Sequence, residues 1–79
     1  MATRTARDQR LMNHLIQSFV VDDILECLAQ CLHFDQCVSM NYEENSQICE
    51  LNSETKASYP QDMDEDNGCS YYNIIKQYK

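Results

Sequence analysis

The sequence predicts an α+β domain in which a single helix packs on a twisted antiparallel β-sheet and is attached to it by disulfide bonds. Three observations support this fold class. Residues 22–32 have helical periodicity with two cysteines on the apolar side, a later stretch alternates apolar and polar residues as a strand does, and the 79-residue chain contains five cysteines. Because so short a chain buries little apolar surface, we expect covalent cross-links to supply part of its stability.

The chain begins with a polar stretch. Residues 1–10 contain three of the six basic residues and almost no apolar side chains, so we expect a flexible lead-in followed by a single domain over residues 11–79. Residues 11–21 mix apolar and polar side chains and end in β-branched residues. This composition favours one strand or two short ones.

The helix is predicted to run from Asp23 to about Leu32. Asp23 and Glu26 have the spacing of a capping box, in which two side chains bind the first free backbone amides. Cys27 and Cys31 lie one turn apart, where Cβ atoms are about 5–6 Å from each other, too far for a disulfide between them. Both sulfurs are therefore expected to bond to other elements.

Two strands are predicted after the helix, over residues 37–43 and 47–52. The first alternates apolar and polar side chains, and the second can pair with it as the other half of a hairpin. A tight turn centred on residues 44–45 would pair Met40 with Cys49 and place the apolar side chains on one face. The sequence therefore predicts an antiparallel hairpin next to the helix.

The remaining stretches are a polar loop over residues 53–68 and a closing strand over residues 70–78. The loop is long for so small a domain, which indicates an exposed and functional segment. Tyrosines that face outward, and acidic side chains, can contact a protein or a sugar. The candidate ligand-surface residues are Tyr59, Asp62, Asp64, Asp66 and Tyr71, with Tyr72 in place of Tyr71 if that side chain is the one facing outward.

The cysteines at positions 27, 31, 37 and 49 can pair in two ways once a bond within the helix is excluded. Either Cys27 bonds to Cys49 and Cys31 to Cys37, or the partners are exchanged. Geometry favours the first pairing, because Cys31 ends the helix and needs only a short connector to reach Cys37. Cys69 is then left over, as a free thiol, as the link of a disulfide-bonded dimer, or as a residue whose partner lies outside this sequence.

Several short motifs from the helix onward follow a known pattern: Cys27-x3-Cys31-x5-Cys37, Ser39-x-Asn41-Tyr42, Cys49-Glu50-Leu51-Asn52 and Tyr71-Tyr72. Together they resemble the PAN/apple domain family, whose members bridge one helix to an antiparallel sheet. The resemblance implies a non-catalytic extracellular module for protein–protein or protein–carbohydrate recognition and cell adhesion. It does not imply a particular ligand. Apple-type members add a third bridge, and this chain has no cysteine before Cys27 that could complete it.

Charge and hydropathy narrow the expected partners. The formal charge of −7 argues against nucleic acid, anionic membranes and heparin-like polyanions, because each of these binds basic surfaces. No stretch is long and apolar enough for membrane insertion, and residues 1–10 lack the apolar core of a signal peptide. Since clustered cysteines are typical of an oxidising compartment, we expect a monomeric module of a larger secreted or membrane-attached protein.

The alternative class is a small metal-binding or redox-responsive domain. Zinc has four nominal ligands in Cys27, Cys31, Cys37 and His33, although their spacing differs from the common Cys-x2-Cys knuckles. The acidic run at residues 62–66 is similar to the start of a calcium loop, but the glycine and the closing glutamate of such a loop are misplaced. We expect no enzyme and no cofactor, because the chain has neither a glycine-rich phosphate loop nor a serine-elbow motif.

Overall fold

The computed structural model describes residues 2–75, which form an antiparallel sheet with an α-helix on one face. The strands are β1 (Ala2–Leu11), β2 (Leu15–Val20), β3 (Ser39–Glu43), β4 (Ile48–Asn52) and β5 (Met63–Ile74), and the helix α1 spans Ile24–His33. A short 3-10 turn, Pro60–Asp62, precedes β5. The five strands lie in the order β1-β5-β3-β4-β2. The α+β prediction is therefore confirmed.

The helix begins as its sequence predicts. Asp23 has an extended backbone, and its carboxylate accepts a hydrogen bond from the Glu26 amide at 3.0 Å. The Glu26 carboxylate in turn accepts from the Asp22 amide at 2.9 Å. The first bond satisfies an amide in the first turn that has no partner within the helix, and the second satisfies the amide of the residue before the N-cap.

The core lies between α1 and the central strands β3 and β4, and sulfur makes up much of it. Cys27 is bonded to Cys49 and Cys31 to Cys37, with Cα–Cα distances of 5.5 Å and 5.3 Å. All four half-cystines are fully buried. This is the pairing that geometry favoured, and it joins the helix to β4 and to the segment before β3.

The prediction of a flexible lead-in over residues 1–10 is wrong for the residues described. β1 pairs with β5 from Ala2 opposite Ile74 to Leu11 opposite Met63, with two irregularities in the register. A strand at the edge of a sheet can leave polar side chains in water while its backbone is paired on one side, so a polar composition does not exclude it. The domain therefore includes β1.

The predicted register of the hairpin between β3 and β4 is also wrong. Met40 lies opposite Leu51 and Tyr42 opposite Cys49, two residues away from the expected pairs. The connecting turn is longer than expected, and Gln47 adopts a positive φ of 59° in it. Because side chains alternate with a period of two, a shift of two residues leaves every side chain on its predicted face.

The polar loop is shorter than predicted, because β5 already begins at Met63. The acidic run is thus largely part of a strand. Its pairing with β1 is interrupted near Gly68, which has a positive φ of 87° and whose amide donates to the Asp8 carboxylate at 3.1 Å. A glycine accommodates this backbone conformation, which side chains disfavour. Of the closing strand predicted over residues 70–78, residues 76–78 lie outside the described part.

Candidate functional site

The sheet face turned away from α1, which we call the far face, contains buried polar side chains. On β3 and β4 the apolar residues of the core face the helix, so the intervening residues face the other way. Cross-strand partners on β5 share that orientation. The buried polar members of this face are Ser39, Asn41, Asn52 and Tyr71, all at most 1% exposed.

A hydrogen-bond network on the far face connects β1 with β3 and β4. The Arg10 guanidinium binds both carboxylate oxygens of Glu50, at 2.8 Å and 3.0 Å from Nη2. The Asn41 side chain accepts from the Leu11 amide and donates to the Leu11 carbonyl, each at 3.0 Å, and it also donates to Glu50 at 3.1 Å. Burial lowers the pKa of Arg10, but the hydrogen bond and charge of Glu50 outweigh this and raise it overall.

A cavity of about 130 Å³ opens beside this network. Its lining residues are Arg10, Asn41, Glu43, Ile48, Glu50, Asp66 and Cys69. One guanidinium therefore faces three carboxylates, and Asp66 lies 3.8 Å from Arg10 Nε. Pockets that enclose drug-sized ligands measure about 300–1,000 Å³, so this cavity can admit one small group of a larger partner.

Cys69 lines this cavity as an unpaired thiol and is 3% exposed. Burial raises the pKa of Cys69 to about 12, and the negative charges of Asp66 and Glu50 act in the same direction. The thiol is therefore protonated at neutral pH, whereas nucleophilic cysteines require the thiolate. An interchain bond through Cys69 would require the far face to open first.

Two of the candidate ligand-surface residues, Tyr59 and Asp62, meet at one end of the sheet. The Asp62 carboxylate lies 2.7 Å from Nε2 of His14, and the Tyr59 ring centroid lies 4.2 Å from the His14 ring. The Asn13 amide group also donates to Asp62 at 3.4 Å. No local pattern in the sequence indicates the contact between His14 and Asp62, because the two residues are 48 positions apart.

The other three candidates lie elsewhere. Asp64 is exposed on β5, and Asp66 is half-buried at the cavity. Tyr71 is wrong as a surface residue, since it is fully buried. Its hydroxyl accepts from the Lys56 amide at 2.8 Å and donates to Asn73 at 2.7 Å. The five candidates therefore do not form one continuous surface.

The sulfurs nominated for zinc are not arranged as ligands. Cys27, Cys31 and Cys37 are bonded within disulfides, and no group of three or more His, Cys, Asp or Glu among residues 2–75 is placed to hold a metal ion. Within the same residues, no helix has the length and apolarity needed to cross a membrane.

A family model of known proteins matches this chain. Residues 2–76 match the family model of the PAN domain, whose members are known as protein- or carbohydrate-binding modules of extracellular proteins and are generally non-catalytic. No curated protein and no solved structure matches the chain significantly. The matched range covers nearly the whole chain, and a helix joined by disulfides to an antiparallel sheet is the arrangement that the resemblance implied. The chain belongs to the PAN domain family.

Proposed function

We propose that this chain is a non-catalytic extracellular recognition module that binds a protein or carbohydrate ligand through the far-face cavity and its rim. The observation that carries the proposal is the polar lining of this cavity. Of its seven side chains, all except Ile48 have a group that can take part in a hydrogen bond. Membership of the PAN family supports the binding class, and the two disulfides support the extracellular setting.

The cavity is rich in hydrogen-bond acceptors. Much of the donor capacity of Arg10 is directed to Glu50. Glu43 accepts from the Ser46 hydroxyl, and Asp66 has a distant contact with Arg10. Because an ionised carboxylate offers about four acceptor positions, Glu43 and Asp66 retain most of theirs. The cavity is therefore suited to a ligand group that donates hydrogen bonds, such as a sugar hydroxyl or an amide.

The cavity is not equipped for nucleophilic catalysis. Its one thiol, Cys69, is protonated, and the residues that line the cavity include no histidine to activate it. The carboxylates of Glu50 and Asp66 make its ionisation less favourable still. Recognition without chemistry is therefore the function that this geometry supports.

The test is an NMR titration of the folded chain with fragments of both ligand classes. Separate titrations with millimolar galactose, N-acetylglucosamine and an N-acetylated amino-acid amide would follow the backbone amides. We expect chemical-shift changes in the amides around Asn41, Glu43 and Asp66. These changes should be absent in the Glu43→Gln, Asp66→Asn double variant.

The matched control is the Asp64→Asn, Glu65→Gln double variant, which removes the same charge from exposed positions on β5. This control should respond like the unaltered chain. Shifts that stay away from the far face, or that survive in the Glu43→Gln, Asp66→Asn variant, would overturn the assignment of the cavity as the contact surface.

A further inference from the structure

Helix α1 has a line of exposed apolar residues in addition to the side that packs on the sheet. Leu25, Ala29 and Leu32 lie at positions i, i+4 and i+7, so they share one side of the helix. Leu25 is 69% exposed, Leu32 is 47% exposed, and Ala29 is also exposed. We call these three residues the helix stripe.

The helix stripe is not needed to build the core. The sheet-facing side is supplied by Cys27 and Cys31, with Ile24 and Leu28 packed against them. A helix on the surface of a domain usually carries polar residues on its other sides. Single exposed apolar side chains are common and need no explanation, but three at one-turn spacing form a continuous apolar strip.

The surroundings of the helix stripe are strongly acidic. Between residues 11 and 55 the sequence contains aspartates and glutamates but no lysine or arginine. Asp22, Asp23, Glu26 and Asp35 are exposed around the two ends of the helix. The ion pairs found among residues 2–75 involve Arg10 and His14 as the cationic partners and none of these four carboxylates. The negative charge near the stripe is therefore not neutralised by those pairs.

We propose that the helix stripe binds a basic amphipathic helix of a partner protein. Apolar side chains of that helix would cover Leu25, Ala29 and Leu32, and its lysines or arginines would lie beside the carboxylates at both ends of α1. This surface is distinct from the far-face cavity, so the proposal goes beyond the proposed function. Its small size corresponds to a weak or transient contact.

Charge distinguishes this occupant from the alternatives. A second copy packed antiparallel on the stripe would bring Asp22 and Asp23 of one chain close to Asp35 of the other, and like charges repel. An anionic membrane surface would be repelled for the same reason. A basic helix is the partner that satisfies both the apolar strip and its acidic ends.

The experiment uses two synthetic amphipathic peptides. The first has leucines at helical i, i+4 and i+7 spacing with flanking lysines, and the second is identical except that glutamates replace the lysines. An NMR titration of the folded chain should show shifts in residues 22–35 with the lysine peptide and none with the glutamate peptide. Affinity for the lysine peptide should fall as salt is added, because exposed charges are screened.

Variants of the chain distinguish binding at the helix stripe from a general attraction of the basic peptide to an acidic protein. The Leu25→Ser, Leu32→Ser double variant should weaken binding about tenfold or more, since it removes apolar area that would be buried in the complex. The Leu15→Ser, Val20→Ser double variant alters exposed apolar residues outside the stripe and should bind normally. The Glu43→Gln, Asp66→Asn variant should also bind normally, which separates this test from that of the far face.

Three results would overturn the proposal: unchanged affinity in the Leu25→Ser, Leu32→Ser variant, equal binding of the glutamate peptide, or shifts confined to other surfaces. Light scattering that shows a dimer abolished by the same variant would also overturn it, because the stripe would then bind a second copy. Because Leu25 and Leu32 are substantially exposed, their replacement should leave the chain folded. Circular dichroism and disulfide mapping check this for each variant.

Discussion

Asn41 and Asn52 are equally buried on the far face, each 1% exposed, but their amide groups are in opposite situations. The Asn41 side chain makes three hydrogen bonds to Leu11 and Glu50. Neither side-chain polar atom of Asn52 has a hydrogen-bond partner within residues 2–75. Burial of an amide without a partner is costly, whereas burial with its hydrogen bonds made is not.

Replacement of each asparagine by leucine should therefore have opposite effects. We expect Asn52→Leu to raise the free energy of unfolding by about 1 kcal/mol, because it removes an unsatisfied amide. We expect Asn41→Leu to lower it by about 2–3 kcal/mol, because it leaves the Leu11 backbone groups and Glu50 without a partner. Urea denaturation of both variants checks the difference, and a loss of stability in Asn52→Leu equal to that in Asn41→Leu would contradict it.

Because of Cys69, the free energy of unfolding should depend on pH in the alkaline range. Burial raises its pKa from the ordinary 9.0 to about 12, so the thiol ionises first in the unfolded chain. Its stabilising contribution is therefore complete below pH 9 and is lost as the pH rises from 9 towards 12.

The Cys69→Ala variant isolates this effect from the tyrosines and lysines that titrate in the same range. Between neutral pH and a pH above 9, the unaltered chain should lose more of its free energy of unfolding than the variant does. Urea denaturation at both pH values measures the free energy of unfolding. The samples are kept only briefly at the higher pH, and their thiols are alkylated afterwards so that any exchange of disulfides can be detected. Equal losses in the two proteins would indicate that the folded thiol is accessible to solvent.

Among the elements, those marked by local signals could be predicted. The cap of α1 depends on Asp23 and Glu26, three residues apart. The strand β3 alternates apolar and polar residues over a short stretch, and β4 follows it closely enough in the chain to pair with it. β1 and the first half of β5 lack such signals. Acidic residues such as Asp64 are uncommon in strands, so composition does not indicate a strand there. The partner of Asp64 in the sheet is Arg10, which is distant in the chain, so no local pattern reveals the pairing.

The same limit applies to the candidate site. Tyr59 and Asp62 were selected from composition, but their contact with His14 depends on how the 3-10 turn meets the connection between β1 and β2. Tyr71 was selected because aromatic residues often form contact surfaces. Its burial depends on the Lys56 backbone passing over the far face, which no local pattern reveals.

Removal of β1 tests the largest correction to the predicted elements. A chain that begins at Leu11 should lose several kcal/mol of stability, because it loses the backbone pairing with β5 and the Arg10–Glu50 interaction. Urea denaturation followed by circular dichroism measures the change. The control Arg7→Ala alters an exposed side chain of β1 and should change stability by less than about 0.5 kcal/mol. If the shortened chain is as stable as the full one, β1 is dispensable for folding.

At the scale of the whole molecule, the two disulfides should contribute unequally to the free energy of unfolding. Cys27–Cys49 spans 22 positions and Cys31–Cys37 spans 6. A longer closed loop restricts the unfolded chain more, which corresponds to about 3 and 2 kcal/mol respectively. Removing the first bond by a double Cys→Ala substitution should therefore be the more destabilising change, as thermal or urea denaturation can measure.

Intact mass with and without alkylation provides the companion measurement. One reactive thiol per unfolded, unreduced chain is expected, with the remaining sulfurs in the two bonds described. Five reactive thiols together with bound zinc would contradict the disulfide framework and favour the metal-binding alternative. A mass that is doubled and then halved by reduction would indicate an interchain bond.

The register that places Ala2 opposite Ile74 has a mechanical consequence. If tension is applied through neighbouring segments of a longer polypeptide, it pulls these two adjacent positions apart, and β1 separates from β5 one residue pair at a time. Peeling of this kind loads few hydrogen bonds at once, so it yields at a lower force than sliding two strands past each other. The extension would stop at the covalently closed segment from Cys27 to Cys49, which stays intact. Under load, the domain would then lengthen by a limited step and recover when the released strands pair again.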